Sequence, residues 1–189
     1  MKVMLVNPPD VDASMFDYAT AKRGRANNYP AYGLGVLATH LRVNDMEPRI
    51  VNLNHELLRL IYETDAPIEY DATWKRILKA EIDAFQPDVI GVTCLFSVTD
   101  KSLVNVCHYV KAVSTAKLVI GGVHVTHDVD KVLAETKADI AFLNESEKAF
   151  MRWLKTGELN QAQEADGTKH PDKMTPEAHE LNVIPAFDL

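Results

Sequence analysis

Two segments constrain this chain more than any others: Asp88-Val-Ile-Gly-Val-Thr-Cys-Leu-Phe-Ser97 and, about one helix later, Leu118-Val-Ile-Gly-Gly-Val-His124. Each is a short apolar run that passes straight into small and hydroxyl residues. Strands of a parallel sheet read as such unbroken runs because helices cover both of their faces. With a helical stretch between them, the two runs make a parallel βαβ unit, which closes with a right-handed crossover. Ligands of open α/β sheets sit outside the carboxyl ends of the strands. These bulk-free strand ends therefore locate a site before they say what occupies it.

The same alternation runs through the chain. Apolar runs predict strands at residues 2–7, 49–53, 89–94, 118–121 and 140–143. Between them, residues 33–43 carry Leu34, Leu37, Ala38 and Leu41 at helical spacing, and residues 72–85 do so with Trp74, Ile77, Leu78, Ile82 and Phe85. Residues 100–113 show Leu103, Val104, Cys107 and Val110, with Asp100 placed to cap them. Residues 129–136 and 145–155 complete the set. Leu57, Leu58, Leu60 and Ile61 predict a short extra helix within the connection 54–71. Strand and helix in alternation imply a Rossmann-like α/β fold, a three-layer αβα sandwich on a five-stranded parallel sheet.

Residues 1–157 are expected to form this domain, and residues 158–189 a linker or tail. Residues 160–179 are almost wholly polar, which predicts a solvated segment. Residues 181–189 turn apolar again, as expected of an approach to a further domain. The chain therefore reads as the N-terminal part of something longer.

Composition excludes several classes. Acidic residues outnumber basic ones by 27 to 20, and no basic run suggests a nucleic-acid surface. No apolar stretch approaches the ~20 residues needed to cross a bilayer. The apolar start ends at Pro8-Pro9, so it reads as a strand and not a signal peptide. Cys94 and Cys107 lie inside predicted structure without metal-type spacing, as expected of buried thiols in a cytoplasmic protein.

Four loops leave the carboxyl ends of strands. The first is Asn7-Pro8-Pro9-Asp10, stiffened by its prolines. The second holds Thr93, Leu95, Phe96 and Ser97, whose hydroxyls either line a ligand or cap a turn. The third is Gly121-Gly122-Val123-His124, where glycines let a flat ligand approach the backbone or make a tight turn. The fourth is Asn144-Glu145-Ser146-Glu147. His124, His127 and Asp128 have helical metal-ligand spacing but no third partner, so His127 and Asp128 read as helix-start residues and His124 as the one to touch a ligand. Glu145 and Glu147 read either as an acid pair or as carboxylates at a helix N-terminus. No G-x-G-x-x-G follows the first strand, and neither a phosphate loop nor a nucleophile elbow is present.

In this order and spacing the motifs resemble one family. Asn7-Pro8-Pro9 with Tyr29-Pro-Ala-Tyr-Gly-Leu-Gly-Val-Leu-Ala38, then Pro87-Asp-Val-Ile-Gly-Val-Thr93, Val119-Ile-Gly-Gly-Val-His124 and Asn144-Glu-Ser-Glu147, resemble the N-terminal cobalamin-binding domain of B12-dependent radical SAM enzymes. Ile184-Pro-Ala-Phe-Asp-Leu189 resembles the link into their radical SAM barrel. The resemblance implies a flavodoxin-like sheet of order 2-1-3-4-5 with cobalamin at its carboxyl edge. Asn7, Pro8, Pro9, Thr93, Leu95, Phe96, Ser97, Gly121, Gly122, Val123, His124, Asn144, Glu145 and Glu147 would then surround it. Gly122→Leu would fill the crevice and spare the fold.

The departures also carry information. The Asp-x-His-x-x-Gly motif that supplies a cobalt-ligating histidine in methionine synthase-type domains is absent after the first strand. Asn144 and Ser146 replace the usual glycines of a Gly-Glu-Gly-Glu-like turn. No Cys-x-x-x-Cys-x-x-Cys occurs, so this chain alone supplies neither the 4Fe-4S cluster nor the S-adenosylmethionine chemistry of such enzymes. The expected function is a cofactor-binding module, with no catalytic residue or metal ligand of its own, serving a radical SAM domain of the same polypeptide. The rival readings are a flavodoxin-like regulatory or interaction domain without cofactor, and a small enzyme using His124, Glu145 or Glu147 as acid and base.

Overall fold

The computed structural model describes residues 1–159, 162–164 and 185–186. One sheet has the order β2-β1-β3-β4-β5-β6. Its strands are β1 (Lys2–Asn7), β2 (Glu47–Asn52), β3 (Val89–Thr93), β4 (Lys117–Gly121), β5 (Ile140–Phe142) and β6 (Ala162–Glu164). The first five are parallel in the expected order 2-1-3-4-5, and β6 pairs antiparallel with β5. β6 falls within the stretch read from sequence as linker. Ala186 is buried, and its N–H donates to Gly35 O at 3.0 Å. The other expectations for residues 160–189 lie outside the described residues.

Helices α1 (Tyr18–Lys22), α2 (Tyr32–Val43), α3 (Leu53–Glu63), α4 (Tyr70–Phe85), α5 (Asp100–Val113), α6 (Val123–His127), α7 (Val129–Thr136) and α8 (Glu147–Thr156) connect the strands. Side chains alternate across a strand, so each strand serves two cores. Val3, Leu5, Val89, Val119, Ile140 and Phe142 meet α2 and α8. Met4, Val6, Ile90, Val92, Leu118, Ile120 and Ala141 meet α3, α4, α5 and α7. Within α5, Leu103, Val106, Cys107 and Val110 are the buried stripe. None of the described helices is long and apolar enough to cross a membrane.

Two boundaries differ from the sequence pattern for physical reasons. β2 begins at Glu47, two residues early, because an edge strand paired only with β1 tolerates Pro48 and charged neighbours. It ends at Asn52, whose side chain accepts the His55 N–H and so starts α3 at Leu53. α1 and α6 have five residues each, too few for a periodic signal.

The long connection from β1 to α2 is bound to the α3 and α4 side of the sheet. Asp10 N–H donates to Asn54 Oδ1 at 3.1 Å, Asn54 Nδ2 donates to Asn27 O at 3.0 Å, and Tyr70 OH donates to Val11 O at 2.7 Å. Lys22 Nζ closes the end of α3 by donating to the carbonyls of Ile61, Tyr62 and Thr64.

Asp100 does not cap α5. Thr99 is the capping residue, reached through a 3-10 turn at Ser97–Thr99, and Asp100 lies one residue inside the helix. Its carboxylate instead accepts from His124 Nε2 at 2.8 Å and Lys131 Nζ at 2.9 Å, tying α5 to α6 and α7. Burial alone would raise the Asp100 carboxyl, but the bonds from Lys131 and His124 outweigh it and hold the group below the ordinary carboxylate range. With the folded value below the unfolded one, the stabilisation is complete above about pH 4 and is lost as the pH falls through the lowered folded value. Asp100→Asn should cost about 1 kcal/mol at neutral pH, with the deficit shrinking towards about pH 3. Urea denaturation at the two pH values measures this, and a deficit independent of pH would contradict it.

Candidate functional site at the carboxyl edge

A crevice of about 410 Å³ opens between α2 and α8 on their face of the sheet. Its floor follows from strand register. Leu5 pairs with Gly91 and Gly91 with Val119, while Thr93 pairs with Gly121 and Gly121 with Phe142. The period of two puts all six on the α2/α8 side. Leu5 and Val119 close over Gly91, whereas Gly121 beside Thr93 leaves the carboxyl end of the sheet hollow beneath the two helices. Leu34, Leu37 and Phe150 form the walls. Phe142 packs edge-on against Phe150, with ring centroids 5.1 Å apart, and closes the β5 side. Asn144, Glu145, Ser146 and Glu147 make a polar end, and His127 borders it.

The glycines are of two kinds. Gly122 has φ 110°, and a Cβ there would stand 2.4 Å from Cys94 O, so internal packing already demands glycine. Gly122→Leu would therefore break the junction of β3 and β4, contrary to the expectation that it spares the fold. Gly121 is different. A Cβ would lie 3.4 Å from Phe142 O, an ordinary contact, and at Gly33 it would meet nothing within 4 Å. Both glycines line the crevice. Their missing side chains keep open a space that packing alone would let a side chain fill, which is a cradle suited to a flat group.

Of the residues expected at a site, the structure brings Thr93, Leu95, Gly121, Gly122, Val123, Asn144, Glu145 and Glu147 to the crevice. Asn7, Pro8, Pro9, Phe96, Ser97 and His124 do not line it. Asn7 donates to Asn52 Oδ1 at 3.1 Å, and the prolines are buried with the connection towards α3. Phe96 is 54% exposed; with Leu95, Val98 and Val123 at 49–55% and Tyr32 at 59%, it forms an apolar rim at the same edge. His124 is held by Asp100, and its neighbour His127 borders the crevice instead. Both histidines lie on α6, where His127 is the last residue, not a helix start. No group of three metal-ligating side chains occurs among the described residues.

The signals for the missed floor were present in the sequence. A glycine inside an apolar strand, such as Gly91, marks a missing side chain. Gly33 stands one residue before Leu34 at the start of α2. Asn144 adopts φ 58°, a left-handed backbone that asparagine tolerates better than most residues, so this turn needs no glycine there. Ser146 has φ −107° and needs no glycine. Burial pushes the Cys94 thiol up to about 11 and the Cys107 thiol higher still, so both remain protonated and unreactive.

Comparisons with known proteins converge on one family. The family model described as the B12 binding domain matches residues 23–154. The cobalamin-dependent S-adenosylmethionine radical enzyme OxsB, solved with aqua-cobalamin bound, superposes with TM-score 0.67 at 17% identity, covering 99% of this chain and 24% of that one. The radical S-adenosylmethionine methyltransferase TsrM from Kitasatospora setae, solved with cobalamin and a 4Fe-4S cluster, gives TM-score 0.64 at 17% identity, covering 97% of this chain and 31% of that one. A cobalamin-binding protein from Desulfitobacterium hafniense DCB-2 gives TM-score 0.50 at 16% identity over 81% of this chain and 58% of that one. At these identities the likeness is one of fold, and the chain spans about a quarter to a third of the two radical enzymes. No curated protein sequence matches significantly. With the family model covering most of the sheet and the hollow lying at its carboxyl edge, the chain belongs to the B12-binding domain family.

Proposed function

We propose that this chain binds cobalamin at the carboxyl edge of its sheet and presents it to a radical SAM domain of the same polypeptide. The observation that carries the reading is the hollow floor, where Thr93 and Gly121 lie side by side at the carboxyl end of the sheet and Gly33 opens the wall above. A cavity lined by apolar groups weakens a fold unless something fills it. Membership of the B12-binding family and the cofactors named for OxsB and TsrM supply the occupant's class.

The residues divide the work. Thr93, Gly121 and Phe142, with Leu34, Leu37 and Phe150 above, would sandwich the flat base of the cofactor's nucleotide tail. The exposed rim of Tyr32, Leu95, Phe96 and Val123 would lie against the corrin. The Asp100 bonds to His124 and Lys131, with the Gly122 packing on Cys94, hold the rim loops in place. When bound, cobalamin supplies cobalt-centred group-transfer chemistry that none of these side chains offers. The chain's own task is to bind and orient it.

A specific observation weakens the rival in which His124 serves as an acid or base. His124 does not line the crevice, and its side chain, bonded through Nε2 to Asp100, is only 11% exposed.

Titration with hydroxocobalamin followed by gel filtration and an absorption spectrum of the protein peak tests the reading. Co-elution of the corrin with a shifted band is expected, and a colourless protein peak would overturn it. Gly121→Val should fill the crevice and weaken binding at least roughly tenfold while the melting temperature stays close to wild type. Gly122→Ala, by contrast, should cost the fold about 2–3 kcal/mol in chemical denaturation, because of its φ and the Cys94 clash. Equal binding by Gly121→Val would move the site elsewhere.

A further inference from the structure

We propose that His127, in its protonated form, holds the phosphodiester of bound cobalamin at the polar end of the crevice. The proposal rests on the reading that the crevice takes cobalamin. His127 is the last residue of α6 and lies four residues beyond Val123, so the two side chains share one face of the helix, and both line the crevice. Among the described residues the His127 ring makes no hydrogen bond or ion pair, and it is exposed, so a ligand in the crevice can reach it. The other histidine of α6 is already engaged, with His124 Nε2 bonded to Asp100 at 2.8 Å.

Charge makes the assignment specific. None of the described residues that line the crevice is a lysine or arginine, and Glu145 and Glu147 place two acidic side chains at its polar end. Asp128 follows His127 at the end of α6. On α7, Lys131 is held by Asp100 at 2.9 Å, with Asp128 at 4.0 Å and Glu135 at 3.8 Å. Cobalamin carries one phosphodiester anion, the link between its corrin and its ribose and base. With the base between Phe142 and the walls and the corrin on the rim that includes Val123, that link passes the face of α6 that bears His127. An anion placed beside acidic side chains is repelled unless a cation accompanies it. Histidine is the side chain whose charge ordinarily changes between pH 5 and 8, and His127 alone in the lining is of that type. A protonated ring there donates to a phosphate oxygen and offsets its charge.

Methylcobalamin, whose axial methyl group does not titrate near neutrality, is the probe, with Kd measured by equilibrium dialysis in the dark. Wild type should bind it roughly three- to tenfold more tightly at pH 6 than at pH 8. Dicyanocobinamide, which has the corrin and lacks the nucleotide with its phosphate, should show no such dependence. His127→Asn keeps an N–H donor without a charge and should show the weaker, pH 8 affinity at both values. His127→Lys keeps a cation at both values and should show the tighter affinity at both. Both variants should melt with wild type, because the ring bonds no described residue. Methylcobalamin affinities that are equal in wild type and both variants at both pH values would overturn the assignment of His127 alone. A loss in His127→Lys as large as in His127→Asn would overturn it too, and a shifted corrin band in both variants would then place the imidazole on cobalt. Wild type that binds neither corrin would overturn the reading of the crevice itself.

Discussion

The close approach of Gly122 to the Cys94 carbonyl is the contact on which the rest of the carboxyl edge depends. Cys94 N–H donates to Gly121 O at 2.8 Å, and His124 N–H donates to Cys94 O at 3.2 Å, so β3 and β4 stay paired past their last strand residues. Only a glycine with positive φ permits this. Beyond the junction the chains diverge. One loop turns outward and exposes Leu95, Phe96 and Val98, while the other winds at once into α6. The crevice is the space left beneath that divergence.

That space has a thermodynamic logic. The core against α3, α4 and α5 is closed by large side chains such as Leu78, Ile90, Leu103, Leu118 and Ile120, all nearly inaccessible. Each contributes about 1.5–3 kcal/mol by leaving water. The opposite core is equally dense near the amino ends of the strands, at Val3, Leu41 and Val89. It thins towards the carboxyl ends, where Thr93 and Gly121 replace bulk. Stability is thus concentrated in one layer and one end, which lets the other end remain open to a ligand.

Most of the architecture was legible in the sequence, because apolar strands and helical stripes are local patterns. Five strands, their parallel sense and the extra helix after β2 follow from such patterns. The short α1 and α6 and the antiparallel β6 were not legible, since five-residue helices and three-residue strands hold no period. Asp100 illustrates another gap. An aspartate before a helix reads as a cap, yet its partners His124 and Lys131 lie 24 and 31 residues away and appear only when α5 meets α6 and α7. The site was legible in the same uneven way. The β3, β4 and β5 loops, each expected at the carboxyl edge, border the crevice, whereas the β1 loop does not, because Asn54 and Tyr70 bind Asp10, Asn27 and Val11 to the other side.

The sequence by itself determined that a crevice would lie where strands ending in Thr93 and Gly121 leave the sheet, because small residues at strand ends are visible one strand at a time. Which face of the sheet holds the hollow was decided by the tertiary structure. Register aligns Gly91 with Leu5 and Val119 and Gly121 with Thr93 and Phe142, and no single strand contains that alignment. The choice of His127 over His124 was decided in the same way, by the distant Asp100 that holds one ring away from the crevice.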